Sequence, residues 1–144
     1  VATAAAVFAI DLATKIAASA ALADRDIDLP GPLDLRLSHN PGVAFGMGND
    51  TPTWLVLSLT GAVAAGIAVA AWRGLFASSI AAGVVVGGAL ANVADRSQAG
   101  TVVDMLYTGW WPTFNVADVA IVCGAFALAA TAWRVPRDEP ATVP

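Results

Sequence analysis

Four apolar runs, each close to the length of a membrane-crossing helix, constrain this chain more than any other feature. They cover about residues 1–23, 53–72, 75–94 and 115–133. An α-helix rises ~1.5 Å per residue, so roughly 20 apolar residues cross the hydrocarbon of a bilayer. Charged residues make up only 12% of the sequence, against about 25% in soluble domains. The expected fold class is therefore an all-α membrane protein, a four-transmembrane-helix bundle built as one domain over residues 1–134.

The second and third runs are joined by a few residues around Arg73 and Gly74, which predicts a tight helical hairpin. Gly61, Gly66, Gly83, Gly87 and Gly88 are expected where helices touch; Gly83 and Gly87 have the small-xxx-small spacing that admits close backbone approach. The five tryptophans fall at run ends, with Trp54, Trp110 and Trp111 on one side and Trp72 and Trp133 on the other, as interfacial indoles should. The long loop 24–52 contains "LDLRLS" (33–38), whose alternation predicts a strand with one buried face. Segment 101–106 is a candidate partner strand, giving a small sheet at the membrane surface. The Pro-rich tail 135–144 is expected to be disordered.

Net charge is −4, and no basic patch exists to neutralise phosphates, which argues against nucleic acid as a partner. Cys123 stands alone in an apolar run, where it is expected as a small core or lipid-facing residue; it has no companions for a disulfide or a metal site. No metal or other cofactor is expected. The apolar stretch at the start is interrupted by Asp11 and Lys15 and lacks the basic start of a cleavable signal peptide. Arg73, Arg134 and Arg137 on one side balance Arg25, Arg36 and Arg96 on the other, so the positive-inside rule leaves orientation open.

Charges inside spans cost about 2.5–3.5 kcal/mol each, so each needs a reason. Asp11 and Lys15, four apart with the acid first, form a self-neutralising pair that tethers the first helix, or else support a reactive site. Asn92, Asp95 and Arg96 share one face at the end of the third run; a local Asp95–Arg96 pair is the simplest account of the two charges. His39 is expected at the surface, and Ser38 and Ser97 lack a base that would make either a nucleophile.

The acids at 104 and 118 are less easily set aside. In "FNVAD", Asn115 suits an N-cap and Asp118 the third helical position, where an acid favours the helix dipole. Asp104 interrupts the extended stretch "TVVDML" with no basic residue near it in sequence, and the turn between the acids is short. Two carboxylates sharing a proton make a general acid–base pair, because repulsion splits their pKa values. The ionised one takes a proton from water attacking an amide carbonyl; the protonated one supports the oxyanion and then protonates the leaving nitrogen. Asp118, at a helix N-terminus, is expected to hold the charge at rest.

At this point the chain resembles the signal peptidase II family along nearly its whole length. "DLATK" (11–15) is similar to that family's D-x-x-x-K, "HNPGVAFG" (39–46) to H-N-x-G-x-A-F-G, "GGALANVADR" (87–96) to G-G-A-x-G-N-x-x-D-R, and "VVDM…FNVAD" to V-x-D-F…F-N-x-A-D. The resemblance implies a metal-free intramembrane aspartyl endopeptidase that cleaves diacylglyceryl-modified prolipoproteins before the lipidated cysteine. It implies catalytic roles for Asp104 and Asp118, supporting roles for Asn40, Gly42, Asn92, Arg96 and Asn115, and structural ones for Asp11, Lys15 and Asp95. It also implies a bacterial cytoplasmic-membrane protein with cytoplasmic termini and an extracytoplasmic site and sheet, acting as a monomer among membrane lipids and inhibited by globomycin-type cyclic peptides. Ala91 replaces a usual Gly and Met105 a usual Phe, which should alter packing with activity intact. The "NPGVAFG" loop is a candidate lid. The main rival reading is a small four-helix proton-coupled transporter, though no related halves or broken helices are visible; a non-catalytic membrane assembly factor is a second.

Overall fold

A computed structural model describes residues 1–41 and 52–133. Gly42, the rest of the expected lid and the tail 135–144 lie outside the described residues. In chain order the elements are α1 (Ala2–Ala21), β1 (Asp34–Asn40), α2 (Thr53–Trp72), α3 (Ser79–Ala99), β2 (Val102–Tyr107) and α4 (Val116–Trp133).

Helices α1, α2 and α4 are long and apolar enough to cross a membrane; α3 is not among them. Where α3 sits gives the reason. It packs against α1, α2 and α4, and eight of its residues are buried, against two in each of the others. A helix surrounded by protein does not need a lipid-compatible surface, so it can hold Asn92, Asp95 and Arg96 in its last two turns. The helix spans Ser79–Ala99, starting and ending later than the expected run 75–94. Ser78 caps the start by accepting from Ala81 N at 3.1 Å, and Gly100, left-handed at φ 74°, ends the helix past Arg96.

Small residues let α3 approach its neighbours. A Cβ at Gly87 would lie 2.5 Å from Ala4 O of α1, and one at Gly88 would lie 2.6 Å from Ala117 O of α4. Gly124 of α4 is as tight, with Val85 Cγ2 of α3 at 2.7 Å from such a Cβ. The expectation for Gly61 and Gly66 fails: a Cβ at either meets nothing within 4 Å. Both lie on open faces of α2, which leans on α3 alone among its strong contacts. All five tryptophans are exposed at or beside helix ends, as the belt pattern requires, and Cys123 is exposed too.

Strands β1 and β2 pair antiparallel, with Ser38 opposite Asp104 and Asn40 opposite Val102. The expected strand therefore exists, though it runs on through His39 and Asn40. Its expected one-sided burial does not hold: every residue is half-buried except exposed His39. An irregularity between Leu35 and Ser38 resets the alternation, and among the described residues the sheet has two strands.

Candidate active site

The residues that converge come from α1, α3, both strands and α4, and the chain between β2 and α4 explains how. Phe114 forms an isolated antiparallel bridge with Leu106: its N–H donates to Leu106 O at 3.0 Å, and Leu106 N–H donates back at 2.8 Å. Residues 107–113 thus close into a loop, and Asn115 is delivered beside Asp104. Asn115 then starts α4. Its Oδ1 accepts from Asp118 N at 2.9 Å, and Asp118 Oδ2 accepts from Asn115 N at 3.3 Å, a reciprocal cap.

The remaining donors of Asn115 join the two acids. Its Nδ2 donates to Asp104 Oδ1 at 2.6 Å and to Asn92 Oδ1 at 3.2 Å. Asn92 Nδ2 donates to Asp118 Oδ1 at 2.9 Å, and Asn40 Nδ2 donates to Asp104 Oδ2 at 3.3 Å. Every carboxylate oxygen of the pair is therefore met by an N–H. Asp104 and Asn115 are buried, at 2% and 0% exposure. Burial, then the nearby Asp118 charge, pushes Asp104 up to about 6, against the opposing hydrogen bonds from Asn115 and Asn40.

A second group of charges braces the first. Lys15 Nζ lies 2.7 Å from Asp11, 2.8 Å from Asp95 and 3.0 Å from Asn92 Oδ1. Asp11 Oδ1 also accepts from Ala117 N at 2.7 Å, tying α1 to the first turn of α4. Asp95 Oδ2 accepts from Val103 N at 3.3 Å, tying α3 to β2. The predicted Asp11–Lys15 pair is present. The local Asp95–Arg96 account of Asp95 is corrected, since the Asp95 carboxylate turns to Lys15 across the helix interface. Arg96 places its positive charge within electrostatic reach of Asp118, Asp104 and Asp95. Asn40, Asn92, Arg96 and Asn115 are thus brought together with both acids; Gly42 is outside the described residues.

Two features had no sequence signal: the Lys15–Asp95 pair spans two helices, and the Asn92–Asn115 contact joins two helix ends. A third is a cavity of about 360 Å³ beside Asp118, lined by Trp110, Trp111, Phe114, Val119, Val122 and Cys123 among others. Its walls are nearly all apolar, so the half-buried face of Asp118 opens on a space suited to hydrocarbon. Among the described residues, no group of three or more His, Cys, Asp or Glu is arranged to hold a metal ion.

Fold and site together define a class: a multi-pass helical membrane protein with two amide-bound carboxylates at one end of its bundle. The family model for signal peptidase (SPase) II matches residues 3–134, and the chain belongs to that family. It is 43% identical over 132 residues to a lipoprotein signal peptidase of Rhodococcus jostii, covering 85% of this chain and 66% of that protein. A lipoprotein signal peptidase of Solibacter usitatus is 38% identical over 153 residues, covering 97% of this chain and 93% of that protein. The chain thus spans about two thirds of the length of some of these relatives and nearly all of others. In fold it is similar to a solved bacterial membrane enzyme, with a TM-score of 0.71 at 20% identity over 93% of this chain and 92% of that one. A second such structure gives 0.68 at 22% identity over 96% and 92%.

Proposed function

We propose that this protein is an aspartic endopeptidase that removes the signal peptide from diacylglyceryl-modified prolipoproteins, cutting before the lipidated cysteine. The observation that carries the reading is Asn115, whose one side chain bonds to Asp104 and caps the helix turn of Asp118. Family membership and the lipoprotein signal peptidases among its relatives support the substrate class.

In the proposed reaction Asp118 is the anion that removes a proton from the attacking water. Its position in the first turn of α4 and the donors from Asn92 and Asn115 N–H favour that form. Asp104, raised to about 6 by burial and by its neighbour's charge, holds the shared proton. It hydrogen-bonds the developing oxyanion and then gives that same proton to the leaving nitrogen as the C–N bond breaks; the proton taken from water stays on Asp118, so the pair again holds one proton as the acid and amine form. The apolar cavity beside Asp118 is suited to take hydrocarbon of the substrate while the cleavage site sits at the level of the acids.

The same reading makes α3 a fourth crossing, shielded by the other three, within a single membrane domain. It sets both termini on the cytoplasmic side of a bacterial cytoplasmic membrane, with the sheet and acids on the outer side. The enzyme acts as a monomer without metal, and globomycin-type cyclic peptides inhibit it. No observation favours the transporter reading. The test is cleavage of a lipid-modified precursor by purified protein in detergent containing a chelator, with the cut site read by mass spectrometry. Cleavage before the lipidated cysteine is expected; an intact precursor, or cleavage that the chelator abolishes, removes the proposal.

A further inference from the structure

We propose that Lys15 is a positioning residue for hydrolysis: it locks the amide of Asn92 so that its N–H donors face Asp118 and hold that carboxylate as the proton acceptor. The inference rests on the aspartic-peptidase reading above. It gives a part in the chemistry to a residue on α1, which carries neither acid.

Lys15 is 3% exposed, and its ammonium has three donors and no acceptor. Its charge is paired with the carboxylates of Asp11 at 2.7 Å and Asp95 at 2.8 Å. A donor of the ammonium goes to Asn92 Oδ1 at 3.0 Å, an atom that also accepts from Asn115 Nδ2. With donors on both sides, only the carbonyl end of Asn92 fits there; a reversed amide would set its NH₂ against an ammonium and a second NH₂. The donor end is thereby committed to Asp118 Oδ1 at 2.9 Å. The other oxygen of Asp118 faces the backbone N–H of Asn115, whose direction is set by the start of the helix. Both donors to Asp118 are therefore fixed in sense, one by the backbone and one by Lys15 together with Asn115. A proton placed on this carboxylate would have to compete with two N–H groups that cannot turn to accept it.

A lysine that only braced the bundle would lower stability and leave the turnover of folded enzyme alone. The two roles separate in the purified full chain through Lys15→Gln, Asn92→Ala and the double variant, with folded protein quantified by thermal unfolding. Glutamine can accept as well as donate, so Lys15→Gln removes the charged donor and leaves Asn92 Oδ1 held by Asn115 Nδ2 alone. It is expected to lower kcat on a diacylglyceryl-modified precursor about 100-fold with KM unchanged, the usual scale for a misplaced catalytic group. Asn92→Ala should show a similar loss, and the double variant should be no slower than the slower single one, because both act through one bond. Losses that multiply in the double variant, or wild-type kcat in Lys15→Gln, overturn the proposal and leave the peptidase reading standing. A wild-type protein that cleaves nothing sinks that reading and this inference with it. If Lys15→Gln does not fold, Lys15→Gln/Asp95→Asn, which removes an anion with the cation, is measured in its place against the same outcomes.

Discussion

Asn115 donates its side-chain amide to Asp104 at 2.6 Å, across eleven positions of sequence. The Leu106–Phe114 bridge makes this short contact possible by closing the aromatic turn between them. Because Asn115 also caps α4, the orientation of that helix and the hydrogen bonding of Asp104 are fixed by one residue.

If the two acids perform the chemistry, Asp104→Asn and Asp118→Asn should each reduce cleavage of a lipidated precursor by at least about 100-fold, the lower end for losing a general acid or base. Asparagine preserves shape, so folded protein should remain abundant in membranes while precursor accumulates. Undiminished cleavage by either variant at equal protein would end the assignment.

Replacing Asn115 should uncouple stability from activity. Asn115→Ala loses a helix cap and buried amide bonds, and is expected to destabilise the fold by about 2 kcal/mol. Asn115→Ser keeps an oxygen for Asp118 N and should recover part of that stability. It offers no N–H of matching reach to Asp104, so activity should stay low. Thermal melts and turnover on the same samples check both halves; recovery of activity together with stability contradicts the account.

Asp104 predicts a sign for pH dependence. Its ordinary value of 3.8 is raised to about 6 in the folded chain, so the folded state binds the proton more tightly. This contribution to stability is complete below about pH 3.8 and is lost as pH rises through about 6. The melting temperature should therefore fall between about pH 4 and pH 7, and Asp104→Asn should flatten that fall. Wild type and variant melting in parallel across the window would refute it. The kcat/KM of the wild type should decline over the same range as Asp104 loses its proton.

The glycines of α3 and α2 should respond in opposite ways. Gly88→Val places side-chain carbon against Ala117 O, where even a Cβ would sit at 2.6 Å, and overpacking of this kind costs about 1–3 kcal/mol. Gly61→Ala points into open space and should be neutral or gain about 0.5–1 kcal/mol from lower backbone entropy in the unfolded chain. Unfolding in detergent micelles distinguishes them, and an equal response from both helices would refute the packing order.

Several parts of the site were legible because their partners lie within one or two helical turns. Asp11 and Lys15 announce their pairing by spacing alone, and Asn115 and Asp118 announce a cap by theirs. Asp95 shows the limit of spacing: its neighbour Arg96 is the partner that sequence suggests, yet its carboxylate meets Lys15 of another helix at 2.8 Å. Gly61 and Gly87 look alike in sequence, and only Gly87 lies against a neighbouring helix. The strand at 33–38 was visible in its alternation, but the irregularity that undoes its one-sided burial depends on its partner.

Hydropathy, periodicity and capping act over a few residues, so the membrane-type apolar helices, the strand segments, the cap of α4 and the acids that needed a reason can be read along the chain. Tertiary structure alone decided that α3 is the buried helix, that Lys15 joins Asp11, Asp95 and Asn92, and that Asn115 stands between Asp104 and Asn92. Those outcomes depend on which faces of separate helices meet. A buried charge or amide takes whichever partner packing brings within hydrogen-bond distance, and spacing along one chain segment does not encode that choice.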